Sequence, residues 1–378
     1  MSIPAVAKVD FKSAANAESQ VLQNRLIILP LVQEKGVTFN CGLWIQFLTG
    51  NLAIMHPGLD EFWFGWRVKD VFPTSSDFDL YCQKGDMKAE LAEIATKIKV
   101  RYWLSGRVRN QGERIFAKFK HHDFAWSAVK YSPWFEMDLD NQLKGFSNSF
   151  LSWLGELIPG LSKEQIAKAI WPEHCSLAGI RKLENALHHY YIASAYAKEE
   201  LNPGLFEGAV QSGLESYLAT DLLGWAFYRG KDLKKADKAF TRAISLNPRG
   251  VGAMSGLFWC GVKNVNEEKA LYWAKEKALA RHQNPKTAKG SAMYWLGREA
   301  EKKKDFVKAA GFYGKAAAFN SQKFSYVSRE VEAWLKARNS ARAMEVIKAA
   351  LPCFNHKNAK EKLLDLAEKA KIMDGQDK

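Results

Sequence analysis

Cysteine is scarce in this chain. Five residues in 378, Cys41, Cys82, Cys175, Cys260 and Cys353, are scattered with no CxxC pair. That excludes a disulfide framework and a thiolate zinc site as organising principles, and a reducing cytoplasm is the expected compartment. No apolar run approaches the ~20 residues of a membrane-spanning helix. The first twenty residues lack a continuous apolar stretch, so no secretory signal is expected there. Also missing are HExxH, GxSxG and Walker A sequences, and with them any glycine-rich phosphate loop. His121-His122-Asp123 and His188-His189 are tempting as metal ligands. Neighbours on a strand point to opposite faces, and neighbours on a helix sit about 100° apart, so neither set converges. No cofactor, metal or catalytic residue is therefore expected, and the chain reads as a non-enzyme.

What is present is an ordinary globular composition, 47% hydrophobic and 25% charged, with a net charge of +14. The length suggests roughly two or three domains. Residues 1–160 hold 18 basic and 17 acidic side chains, whereas 161–378 hold 37 and 24, so the second half carries nearly all the excess. A basic surface raises encounter rates with acidic proteins, nucleic acids or anionic membranes, and it also serves solubility.

The first half alternates strand and helix patterns. Residues 1–21 read as a frayed leader, and 22–160 as a mixed α/β domain. Asn24–Val32 is an apolar run broken by Pro30 and reads as a buried strand. Residues 39–55 have near-helical apolar spacing. The aromatic stretch 62–72 suits a second strand, although the role of Phe62–Trp66 is not assigned. Lys88–Lys99 is amphipathic and helical. Val100–Arg109 and Glu113–Phe124 flank Asn110-Gln111-Gly112 and predict a hairpin. A third strand is expected over Ala125–Tyr131 and a helix over Leu139–Ile158, stopped by Pro159-Gly160. Asp77, Asp79 and Asp86 read as solvated loop charges. The order resembles the N-terminal α/β domain of TolB-like, CsgG and FlgO proteins. There a helix leads into Y-L-L-x-G, matched here by Tyr102, Leu104, Ser105 and Gly106. Those family members are binding and assembly modules, so the resemblance implies a docking or sensing platform.

The second half repeats itself. Residues 217–250 supply Leu223-Gly224, Phe227, Ala236, Phe240, Ala243 and Pro248, and 290–323 supply Leu296-Gly297, Ala300, Ala309, Tyr313 and Ala316. This pattern resembles the tetratricopeptide (TPR) repeat, with small residues where two helices cross. Degenerate copies follow in 251–289 and 324–355, and 183–216 reads as an opening pair with Pro203-Gly204 as its turn. The expected organisation is a linker helix over 161–182, TPR-like repeats over 183–355, and a capping helix and tail over 356–378. The fold class is α+β multidomain, an α/β domain followed by an all-α solenoid. The packing residues identify a fold and say nothing of a ligand.

In the TPR family, ligand contacts come from the first helix of each pair. Carried over, the groove positions are Asp221, Trp225, Tyr228 and Arg229, then Trp259 and Lys263, then Tyr294, Arg298 and Lys302. Aromatic and basic side chains would alternate along one groove. Such a surface suits an extended acidic peptide or a terminal carboxylate. It equally suits a single nucleic-acid strand. The expected function is an adaptor or scaffold binding a protein or peptide, with nucleic-acid association through the basic half as the alternative. Neither the oligomeric state nor the partner's identity follows from the residues.

Overall fold

The structure is a computed structural model, and it describes residues 22–34, 40–59, 61–63, 68–85, 91–170, 172–197, 201–212 and 216–376. The chain divides into two compact units, Met1–Ile170 with Glu184–Glu199, and Trp171–Leu183 with Glu200–Lys378.

The first unit is built on a seven-stranded mixed sheet. Its strands are β1 (Gln23–Ile28), β2 (Val32–Gln33), β3 (Glu61–Trp63), β4 (Val100–Gln111), β5 (Arg114–Asp123), β6 (Ala128–Tyr131) and β7 (Phe135–Met137), in the order β3-β1-β4-β5-β6. Pro30 splits the expected first strand, and β2 resumes beyond it to pair with β4. β1 runs parallel to β3 and β4, while β4, β5 and β6 form an antiparallel meander. The hairpin turn is tighter than expected. Gln111 pairs with Arg114, so Asn110 and Gln111 continue the strand, and Gly112 takes φ of +62°. Glycine meets that left-handed requirement without a Cβ penalty. β7, only three residues long, pairs with β5.

The helices of this unit are α1 (Gly42–Ala53), α2 (Val68–Val71), α3 (Ser75–Lys84), α4 (Leu91–Lys97), α5 (Lys144–Leu157) and α6 (Lys163–Ala169). Of the expected second strand over 62–72, only residues 62 and 63 are extended; 68–71 is helical, and 64–67 lie outside the described residues. On one sheet face, Phe119 of β5 packs on Phe150 and Trp153 of α5. α1 is buried along nearly its whole length, so its sequence shows little amphipathic contrast. The Gly42 N–H donates to Asn40 Oδ1 at 3.0 Å, and the next two N–H groups are satisfied from far away. Glu184, in α7 (Leu177–Tyr191), accepts from Leu43 N–H at 3.1 Å and Trp44 N–H at 2.9 Å. Tyr191 donates to Gln46 Oε1 at 2.8 Å. The described residues 184–197 therefore group with the sheet unit rather than with an opening repeat.

The second unit is a run of helical pairs. α8 (Pro203–Gln211) precedes α9 (Tyr217–Arg229) and α10 (Leu233–Leu246), α11 (Val251–Lys263) and α12 (Glu267–Ala280), α13 (Pro285–Lys302) and α14 (Phe306–Phe319), and α15 (Phe324–Lys336) and α16 (Ser340–Ala350), closed by α17 (Lys357–Gln376). Pro203 is not a turn residue: it opens α8 behind the Asn202 cap, where a missing N–H costs nothing. Each pair packs on itself and on the next, and α9, α11 and α13 also touch in sequence. The small residues of the motif mark the crossings. A Cβ on Gly224 of α9 would lie 2.5 Å from the Phe240 ring of α10, and one on Gly297 of α13 would lie 2.7 Å from Tyr313 of α14. Both rings are fully buried.

Candidate partner-binding groove

The first helices of successive pairs, α9, α11 and α13, touch in sequence, and all the predicted positions lie on them. Trp225 and Tyr228 on α9 meet edge to face at 5.6 Å, and Trp225 rests on Phe240. Trp259 on α11 meets Trp295 on α13 at 5.1 Å. Tyr294 stacks on Tyr326 of α15 at 5.3 Å. All five, Trp225, Tyr228, Trp259, Tyr294 and Trp295, are half-buried, and Trp259, Tyr294 and Trp295 pack against the repeat core. Trp295 was absent from the predicted set, although it links the rings of two repeats. Its guanidinium neighbour is Arg298, which lies 5.4 Å over the indole.

The charges behave differently from the sequence expectation. Lys263 reaches Glu299 at 3.2 Å and Lys302 reaches the same carboxylate at 3.5 Å. Glu301 holds Lys336, lies 4.0 Å from Arg329, and accepts from Tyr313 Oη at 2.8 Å. Those contacts hold the Glu301 carboxyl below its usual range despite its burial. Two predicted groove cations, Lys263 and Lys302, thus share one carboxylate within the array. Among the described residues Arg298 has no carboxylate partner. Arg229 is exposed at the end of α9. The row is aromatic first and only locally basic. Glu299 and Glu301 were missed, yet the sequence holds a signal for them. Lys263 precedes Glu299 by 36 residues and Glu301 precedes Lys336 by 35, about one repeat.

Asp221 is placed differently from its predicted role. It is 5% exposed, beneath the open surface of α9. The α11 backbone crosses close by: a Cβ on Gly252 would lie 2.2 Å from Asp221 Oδ2. Burial pushes this carboxyl up to about 8, so at neutral pH it is mainly protonated and offers no anion to a ligand. Tyr228 is raised to about 12 by burial and by the nearby Cys260 and Glu299.

Elsewhere, the acidic positions read as solvated loop charges are structural. Asp77 completes a capping box with Thr74 at the start of α3, and Asp79 meets His188 at 2.8 Å. Asp86 lies outside the described residues. His121 is buried against Tyr102 while His122 stacks on Phe124, on the opposite sheet face. Burial lowers both imidazoles to about 4, so both are neutral. Among the described residues no three His, Cys, Asp or Glu side chains are grouped to hold a metal ion, and no helix is long and apolar enough to cross a membrane. A separate cavity of about 580 Å³ lies among α8, α9 and α10, lined by Val210, Leu223, Phe227 and Ala239 with Lys235 and Lys238. It includes none of the predicted groove residues.

No protein-family model matches the chain, and no curated protein matches it. Solved structures with partial likeness include MamA (residues 41 to the end) from Desulfovibrio magneticus RS-1, at 14% identity over 47% of this chain and 95% of that one, with a TM-score of 0.33. YrrB, described as a TPR protein with an unusual peptide-binding site, gives 16% identity over 46% and 93%, with a TM-score of 0.27. PilF from Pseudomonas aeruginosa gives 14% over 53% and 90%, with a TM-score of 0.30. At that level of likeness the repeat architecture rests on the helical pairs themselves, with their buried rings set against glycine.

Proposed function

We propose that this protein is a non-enzymatic interaction scaffold that holds a partner peptide or protein along the first-helix row of its TPR-like repeats. The observation that carries this reading is the line of half-exposed rings, Trp225, Tyr228, Trp259, Trp295 and Tyr294, running across three repeats to the guanidinium of Arg298. Rigid aromatic surface contributes binding energy at low entropic cost, and an arginine stacked on an indole is preorganised to meet a carboxylate. The partner would supply apolar side chains spaced over successive repeats and an acidic group at the α13 end. With Lys263 and Lys302 already paired, a strongly polyanionic ligand has less to hold here than the raw charge suggests. The sheet unit, with its resemblance to TolB-like domains, acts in this reading as the docking or sensing platform. Domain limits at 22–160 and 183–355 belong to the same proposal, amended by the grouping of the described residues 184–197 with the sheet unit.

Affinity capture from native lysate, with nuclease present, tests the groove. Trp225→Ala and Arg298→Glu should each remove the same captured protein by at least about tenfold, the scale of a hot-spot loss. Circular dichroism establishes that both variants are folded. Undiminished capture by two folded variants contradicts the assignment.

A further inference from the structure

We infer that the open sheet face of the first unit, centred on Arg109, Phe116, Lys118 and Trp134, binds single-stranded nucleic acid. The sheet has two unlike faces at its hairpin end. One is covered by α5 through Phe119. The other carries cations interleaved with rings. Arg109 of β4 lies 4.2 Å over Trp134 and 5.4 Å over Phe116. Lys118 of β5 lies 5.9 Å from Trp134, and Lys120 lies 5.8 Å from Tyr131 of β6, which is 61% exposed. Phe116, Lys118 and Lys120 are successive same-face positions on one strand, ~7 Å apart.

The charge pattern says what this face is for. Arg107 sits directly opposite Lys118 in the β4–β5 ladder. Like charges across a strand pair destabilise a sheet, so the arrangement has a cost that a bound polyanion would offset. Arg114, also on this face, is answered by Glu136. Among the described residues Arg107, Arg109, Lys118 and Lys120 have no carboxylate partner. Four unanswered cations around flat rings match a ligand that is negatively charged along its length and presents planar groups. A single nucleic-acid strand has both, with bases to stack and phosphates to pair. An acidic peptide has the charge but no ring tied to every charge, whereas a nucleic-acid strand presents one base for each phosphate. The near-neutral total of residues 1–160 conceals this patch, because the compensating carboxylates lie elsewhere.

The test uses the full chain and fluorescence anisotropy with labelled oligo(dT) and oligo(U) of about 20 nucleotides. Binding is expected, with log affinity falling linearly against log salt. Lys118→Glu with Lys120→Glu should weaken it at least tenfold and make the salt slope shallower by about 1.4, about 0.7 per lost phosphate contact. Phe116→Ala should weaken it roughly fivefold or more through lost stacking. Thermal melts monitor folding, and Arg107→Gln, at an exposed site, supplies a milder charge loss if the double reversal misfolds. The inference is overturned if the wild type binds neither oligonucleotide at low salt, or if the sheet variants bind like wild type. It is equally overturned if Lys234→Glu with Lys238→Glu on α10 abolishes binding instead. If polyglutamate competes as well per charge and Phe116→Ala changes nothing, the face is a dock for acidic protein and the nucleic-acid assignment fails.

Discussion

Replacing Gly224 by alanine should destabilise the repeats, and shortening Phe240 should reverse the sign of that effect. Phe240 of α10 is a fully buried knob seated between two glycines, Gly224 of α9 and Gly256 of α11. An added Cβ at Gly224 would stand 2.5 Å from two ring carbons. Favourable carbon contacts begin near ~3.5 Å, so about 1 Å of movement is required. Gly256 blocks retreat, because its own Cα hydrogens already face the ring, with a Cβ position 2.3 Å away. Overpacking of this kind costs about 1–3 kcal/mol. Alanine in a helix returns about 1 kcal/mol relative to glycine. The expected net loss is up to about 2 kcal/mol in the native background. In a Phe240→Ala background the ring and its Cγ are gone, and Gly224→Ala should then stabilise by about 0.5–1 kcal/mol. Urea unfolding of the four proteins, followed by far-UV circular dichroism, closes the cycle. Additive effects, with a coupling below about 0.5 kcal/mol, would refute the knob-and-glycine account of the crossing.

The buried carboxyl of Glu184 makes the stability of the first unit pH-dependent. Burial raises it from 4.5 to about 7 against the pull of its two N–H donors, so its contribution is present below the unfolded value and lost as pH rises towards 7. The difference in unfolding free energy between wild type and Glu184→Gln should change by about 3 kcal/mol from pH 5 to pH 8; parallel pH profiles for the two proteins would contradict it. Glu299→Gln should release Lys263 and Lys302, cost about 1 kcal/mol at low salt and less at high salt. Denaturation at two ionic strengths measures it, and a salt-independent loss would assign Glu299 a packing role instead.

Local patterns were legible and distant partnerships were not. The β4–β5 hairpin shows in its alternation and its glycine, and the repeat pairs show in residues such as Gly224 and Phe240, whose spacing reflects a contact within one pair. Glu184 gave no such sign. Its partners are the amides of residues 43 and 44, about 140 positions earlier, and backbone groups leave no side-chain pattern to read. β7 is three residues long, too short for an alternation to register. Three rings of the aromatic row, Trp225, Trp259 and Tyr294, were visible in the repeat pattern, and Trp295 was not. The charge of the row was misjudged because Lys263 and Lys302 were read along single helices, while Glu299 answers them partly across a repeat boundary. Asp221 was misplaced for a related reason. Only the packed neighbour α11 shows that its position is interior.

The ion pairs one period apart have a further consequence. Asp237 with Lys269, Lys263 with Glu299, and Glu301 with Lys336 each tie a repeat to the following one. In a one-dimensional array, stability within a unit and coupling between units are separate quantities, and coupling alone sets how far a disturbance spreads. These bridges belong to the coupling. A strain applied at one end of the solenoid, by a ligand or by fraying, is therefore passed inward through contacts that ionic strength can weaken. Salt then acts on the correlation length of the array, shortening the distance over which repeats open and close together.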